Sequence, residues 1–233
     1  MTNITYRTET VPELAGNPLT EALPPRRNPT EVISAMMERR PYSQDQRRES
    51  VEDRLSCLQT ILRLYQPSEK DVELYYQIER ALYWGYADRN PMEGGFAELV
   101  NEEYQAFKNN EIVVQYSSFR PVSSGFALIG ISGLGKSSSV RKCLSLFPQI
   151  IRHQKYGSIS FHETPIVWIQ LDCPSDGGLK GLCGSFFECI DTLLGTDYSA
   201  QYDEKRTTLN KMRIAMNRIV RNYHVGMLVI DEI

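Results

Sequence analysis

An α/β fold is predicted, a parallel sheet flanked by helices and preceded by a purely helical region. Three observations predict it. Phe126 to Ile129 is a short apolar run that breaks into a glycine-rich turn and then a helical stretch, Ser137 to Leu146, stopped by Pro148. Strand-like runs then alternate with amphipathic stretches of helix length, the pattern of a parallel sheet with crossover helices. The last run, Met227 to Ile230, ends in two acids, Asp231 and Glu232. In such sheets ligand-binding groups gather at the carboxyl ends of the strands.

The first element carries the clearest chemistry. Gly130, Gly135, Lys136 and Ser137 fit G-x-x-x-x-G-K-[ST], the phosphate-binding P-loop, placed as that motif requires between a strand and a helix. The loop Gly130, Ile131, Ser132, Gly133, Leu134, Gly135 and the following Lys136, Ser137 and Ser138 are the candidate ATP-binding residues. Glycines let backbone N–H groups curl around a phosphate that any Cβ would keep at a distance. The helix turns its positive end to the same phosphate. Lys136 is expected on the β/γ oxygens, where it also serves catalysis, and the Ser137 hydroxyl on Mg²⁺.

The acids at the end of the last strand complete the set. Asp231 is the candidate second Mg²⁺ residue, acting through water, and Glu232 the carboxylate that orients the attacking water. Together the two sites predict an ATP hydrolase with ATP and Mg²⁺ as cofactors. Glu232 argues against a protein that uses ATP only as a structural ligand, because a pure binder has no need of a water-orienting carboxylate. The chain stops two residues after Asp231, while a sheet of this kind needs a further strand. It is therefore expected to be the front part of a longer protein, truncated after these acids.

Composition sets the bounds. The chain has 233 residues, 41% of them hydrophobic and 24% charged, with a net charge of −3. That length supports one sizeable core with an appended region. It holds no apolar run of about 18 residues and no charged start followed by an apolar segment, so neither a membrane span nor a secretory signal is expected. Cys57, Cys143, Cys173, Cys183 and Cys189 are odd in number and include no C-x-x-C. They read as reduced thiols of a cytoplasmic protein. The mild negative charge argues against indiscriminate affinity for nucleic acid and leaves room for a local basic face.

In chain order, residues 1–28 are polar and interrupted by prolines, an extended arm that is either a flexible tail or a docking segment. Residues 29–111 read as helical. Asn28-Pro29 opens one helix to about Arg39. Ser50 caps a second, in which Val51, Leu55, Leu58, Ile61, Leu62 and Tyr65 form an apolar stripe. A third covers Glu69 to Trp84 and a fourth roughly Gly95 to Lys108. The aromatics Tyr75, Tyr76, Tyr83, Trp84 and Tyr86 are either core between helices or a stacking platform.

Residues 112–233 form the incomplete ATPase core. Ile112 to Val122 is a β-prone lead toward the P-loop, and its Arg120 is either near the nucleotide or an ordinary surface residue. Thr164 to Asp172 reads as a second strand, Leu179 to Leu194 and Thr207 to Tyr223 as the helices that follow. Lys205, Arg206, Lys211, Arg213, Arg218 and Arg221 cluster there, either as a solvated face or as a strip for DNA phosphates.

Several stretches are not generic features of P-loops: Asn17-Pro-Leu-Thr-Glu-Ala-Leu-Pro-Pro25, Gly85-Tyr-Ala-Asp-Arg-Asn-Pro91 and Leu171-Asp-Cys-Pro-Ser-Asp-Gly-Gly-Leu-Lys180. With Leu128 to Ser137 and Leu228 to Ile233, they make the chain resemble the TnsC/TniB family, the AAA+ ATPases that regulate target choice in bacterial transposons. The resemblance implies an AAA+ fold that assembles with copies of itself as a ring or filament around duplex DNA. It further implies loading by a target selector of the TnsD or TniQ kind, which meets the N-terminal region, and recruitment of the transposase subunits TnsA and TnsB. It places Lys180, with Arg206 and Thr207, against the DNA and implies a bacterial, cytoplasmic protein. The alternative is another AAA+ ATPase, a DNA loader or a signalling switch.

Overall fold

The computed structural model describes residues 4–39, 43–93, 125–175, 177–202 and 205–231. The chain divides into two compact units, one of Met1–Pro24, Arg80–Ala127 and Phe147–Ile233, the other of Pro25–Glu79 and Leu128–Leu146. Neither is continuous in sequence. The expected helix at 95–108, the lead at 112–122 with Arg120, and Glu232 lie outside the described residues.

The first unit is built on two parallel strands, β3 (Trp168–Asp172) and β4 (Met227–Asp231), paired in register from Trp168 opposite Met227 to Asp172 opposite Asp231. Alternation turns Ile169 and Leu171 into the core, where they meet Phe186, Phe187 and Ile190 of α6 (Leu179–Leu194). Met212, Ala215 and Ile219 of α8 (Leu209–Asn222) join the same cluster. Both helices therefore cover the Ile169 face. Gly195, left-handed at φ +72°, terminates α6. Asp191 then accepts hydrogen bonds from the Thr196 hydroxyl and from the N–H groups of Tyr198 and Ser199, each at 2.7 Å, to set α7 (Tyr198–Gln201).

The N-terminal arm is packed into this unit rather than extended. Asn17 caps the short α1 (Pro18–Glu21), accepting from the Leu19 N–H, and its Nδ2 donates to the Tyr86 carbonyl at 2.8 Å. Leu14, Leu19 and Leu23 are buried. The prolines that suggest an extended arm here sit at a helix start and at an exit, where a missing N–H costs nothing. A hairpin absent from the sequence expectations, β1 (Lys155–Tyr156) and β2 (Ile159–Ser160), turns at Gly157 with φ +56°. The Tyr156 hydroxyl donates to Glu21 Oε2 at 2.7 Å, and Tyr6 and His153 share a 2.6 Å hydrogen bond through His153 Nδ1.

His153 is 4% exposed, stacked on Tyr6 and edge-on to Phe161, and among the described residues its Nε2 has no hydrogen-bond partner. Burial, and then the nearby His224, pull its pKa down to about 4 against the upward pull of Glu163. Because the folded pKa lies below the unfolded one, protons bind the unfolded chain first as the pH falls from 6.5 to 4. Stability should be unaffected by this group above pH 6.5 and should drop by about 2–3 kcal/mol across that window. Thermal unfolding at pH 7.5 and pH 4.5 checks it. The acid-induced fall in midpoint should be smaller in His153→Phe than in the wild type, and equal falls would place the acid sensitivity elsewhere.

The second unit is helical. Asn28 opens α2 (Pro29–Met36) with a reciprocal capping box, its side chain accepting from the Glu31 N–H while Glu31 accepts from the Asn28 N–H. Ser50 caps α3 (Val51–Leu58), which tightens into a 3₁₀ turn over Gln59–Arg63. The expected stripe does not become core. Val51, Leu55, Leu58, Ile61 and Leu62 are 56 to 83% exposed. Tyr65 then pairs with Glu38 in an antiparallel bridge.

The helix α4 (Glu69–Ala87) follows, its residues to Glu79 in this unit and those from Arg80 in the first, and α5 (Lys136–Leu144) completes the second unit. Tyr75, Tyr83 and Tyr86 on α4 are buried, so these three aromatics are core rather than a stacking platform. The expected P-loop strand over Phe126 to Ile129 is not one. Among the described residues it has no ladder partner, and Ile129 is 91% exposed. An apolar run becomes a strand only where a neighbour accepts its N–H groups. No described helix is long and apolar enough to cross a membrane.

Candidate nucleotide-binding site

The loop of the second unit takes the conformation its glycines allow. Gly133 and Gly135 lie at φ +83° and +80°, a left-handed region that other residues rarely adopt. Gly135 is the N-cap of α5 and contributes no side-chain acceptor. The first turn of α5 therefore presents backbone N–H groups that no cap side chain satisfies. Lys136 is the first residue of that helix, and its ammonium folds back over the loop to donate to the Gly130 and Ile131 carbonyls at 2.8 and 3.0 Å. A Cβ on Gly130 would come within 3.3 Å of Leu134 Cδ1. Ser137 is half-buried and Ser138 exposed.

This arrangement fits the polyphosphate of ATP. From Gly130 to Ser138 there is no acidic side chain, and an ammonium, hydroxyls and helix-end amides share one turn. The Ser137 hydroxyl is a hard oxygen of the type Mg²⁺ takes. Bound ATP would supply the γ-phosphoryl group, and Mg²⁺ the charge that neutralises it. Lys136 would leave the two carbonyls for the phosphate oxygens, a stronger charge-assisted contact.

Asp231 lies in the first unit, at the carboxyl end of β4 and opposite Asp172. Gln170 Nε2 donates to its Oδ2 at 3.3 Å, and the Cys173 N–H to its carbonyl at 2.9 Å. Lys180 is the second residue of α6, and Arg206 and Thr207 immediately precede Thr208, the N-cap of α8. All three thus stand at the starts of two helices that share a core. The exposed side of α8 carries Lys211, Arg213, Arg218 and Arg221, and the helix contains no acid.

Sequence reasoning missed a polar cluster beside α5, all of it within the second unit. Asp71, in the first turn of α4, is buried. Its Oδ2 accepts from the Ser68 N–H at 2.6 Å and the Ser68 hydroxyl at 2.7 Å, and its Oδ1 from the Tyr65 hydroxyl at 2.7 Å. Ser139 of α5 places its Oγ 3.3 Å from the Tyr65 hydroxyl and also hydrogen-bonds Asp71. Burial pushes the Asp71 pKa up, but the bonds from Ser139, Ser68 and Tyr65 outweigh it and hold the carboxyl below its ordinary value. Asp71 is ionised, and burial beside it pushes the Tyr65 phenol up to about 12. The Ser68-x-x-Asp71 spacing, a helix-start pattern, was the available signal.

Residues 123–233 match the family model of the AAA domain. With the glycine geometry and Lys136 at the head of α5, this match supports a P-loop ATPase of the AAA type, a nucleotide-binding class that works with Mg²⁺. No curated protein matches the chain.

Proposed function

We propose that the chain is an ATP-dependent regulator of DNA transposition. It binds ATP and Mg²⁺, oligomerises on duplex DNA, and links a target selector of the TnsD or TniQ kind to the transposase subunits TnsA and TnsB. Hydrolysis then controls the choice of target site. The observation that carries the nucleotide half is the uncapped start of α5 with Lys136 folded over a left-handed glycine loop. Residues 130–138 hold the phosphates in this reading, Ser137 and Asp231 the metal, and Glu232 the attacking water. The acid-free basic side of α8 supports the DNA half, because phosphate contact requires positive charge but no base code. Lys180, Arg206 and Thr207 stand at helix starts on the same unit. The resemblance to the TnsC/TniB family supplies the selector and transposase.

The test is fluorescence anisotropy on a non-specific duplex across a salt series, with and without ATP. Binding should require ATP, ignore sequence and fall steeply with salt. Lys180→Glu should weaken it about threefold to tenfold and lower the salt slope by about one, with ATP affinity unchanged. An unchanged slope returns Lys180 to the solvated surface. Absence of binding in either nucleotide state would favour a P-loop switch whose partner is another protein.

A further inference from the structure

The helix that begins at the P-loop is gripped along its length by residues 25–79. Near its start Ser139 meets Tyr65 and Asp71. One turn on, Lys142 pairs with the Glu38 carboxylate and lies 5.5 Å above the Tyr65 ring. Cys143 Sγ contacts the Asp71 carbonyl at 3.6 Å, and beyond the helix end Arg27 donates to the Leu146 carbonyl at 3.4 Å. These contacts converge on Tyr65 and Asp71. A buried carboxylate satisfied by several donors is a stiff anchor, since moving it would strand each of them.

We infer that Asp71, acting through Tyr65 and Ser139, is the positioning residue of the nucleotide site, an assignment that rests on the P-loop reading above. The Ser139 N–H closes the first turn of α5 on the Gly135 carbonyl at 2.8 Å. Its hydroxyl, tied to Tyr65 and Asp71, fixes the rotation of that turn. Lys136 and Ser137 lie three and two residues earlier on it, so the same tie sets where their side chains and the helix-end N–H groups point. Displacements of about 1 Å at such groups are costly to ligand binding and chemistry. The competing role is local. Asp71 accepts the Ser68 N–H as the first turn of α4 would require of a capping residue, and a cap alone needs neither Tyr65 nor Ser139.

The two roles separate by experiment on the whole chain. Affinity for a fluorescent ATP analogue with Mg²⁺ and the nucleotide-free unfolding midpoint are measured for the wild type, Tyr65→Phe, Ser139→Ala and the double variant. Each single change should weaken the analogue about threefold to tenfold, the effect of losing one buried hydrogen bond. The midpoint should fall by no more than about 4 °C, the shift that about 1 kcal/mol produces in a chain of this length. The double variant should be no weaker than the weaker single, because both remove one link, and Ser139→Thr should bind as the wild type does. Wild-type affinity in both single variants overturns the inference, as does simple additivity in the double. A wild type that does not bind the analogue overturns the P-loop reading and this assignment together.

Discussion

Lys136→Ala is expected to weaken ATP binding about 100-fold while leaving the nucleotide-free fold intact. The magnitude follows from removing one charge-assisted partner of the β/γ phosphates, about 3 kcal/mol. The intact fold follows from what Lys136 does without ligand. Its bonds to Gly130 and Ile131 are exposed side-chain contacts to loop carbonyls that water replaces readily. Titration calorimetry with ATP and Mg²⁺, beside a thermal scan, reads both. Wild-type affinity in the variant would remove the ammonium from the site. A collapsed midpoint would make Lys136 a structural residue of the loop.

Gly226→Ala should be the most destabilising single substitution argued here, by about 3 kcal/mol or more. Gly226 enters β4, its N–H donating to the Ile166 carbonyl at 2.9 Å. A Cβ there would lie 2.5 Å from the Val167 carbonyl oxygen and 2.7 Å from the Tyr86 hydroxyl. Neither neighbour can yield cheaply. The carbonyl belongs to the backbone leading into β3, and Tyr86 is buried with its hydroxyl bound to the His224 carbonyl at 3.0 Å. Arg89, over the Tyr86 ring and donating to the Val225 carbonyl at 2.8 Å, closes the same junction. Urea unfolding measures the loss, and a change below about 0.5 kcal/mol would show that the junction opens without strain.

The elements legible in the sequence carry their own signals. Leu179–Leu194 was expected and found at the same bounds because an apolar face of helical period ends at a glycine that adopts φ +72°. Asn28-Pro29 announced α2, and Met227 to Ile230 announced β4, which runs one residue further to Asp231, for similarly local reasons. What stayed illegible depends on distant partners. Nothing near Asn17 says that its amide will meet the Tyr86 carbonyl, 69 positions away, and so pack the arm. Phe126 to Ile129 is as apolar as β4, yet apolarity does not name the neighbour a strand requires. The turn at Gly133 and Gly135 was legible because their spacing marks a loop whose left-handed backbone favours glycine. The Tyr65 to Ser139 contact spans 74 positions and leaves no spacing to read.

The discontinuity of the second unit has a kinetic consequence. Its two pieces are separated by the stretch between Glu79 and Leu128, so α5 can join residues 25–79 only after a long loop closes. Closing such a loop costs entropy that local helices do not pay, and folding through non-local contacts is slow. During synthesis the N-terminal helices leave the ribosome well before Lys136 does. They must wait, with Asp71 unmatched by Ser139, until the P-loop segment arrives. The glycine-rich loop and α5 are thus the closing piece of this unit.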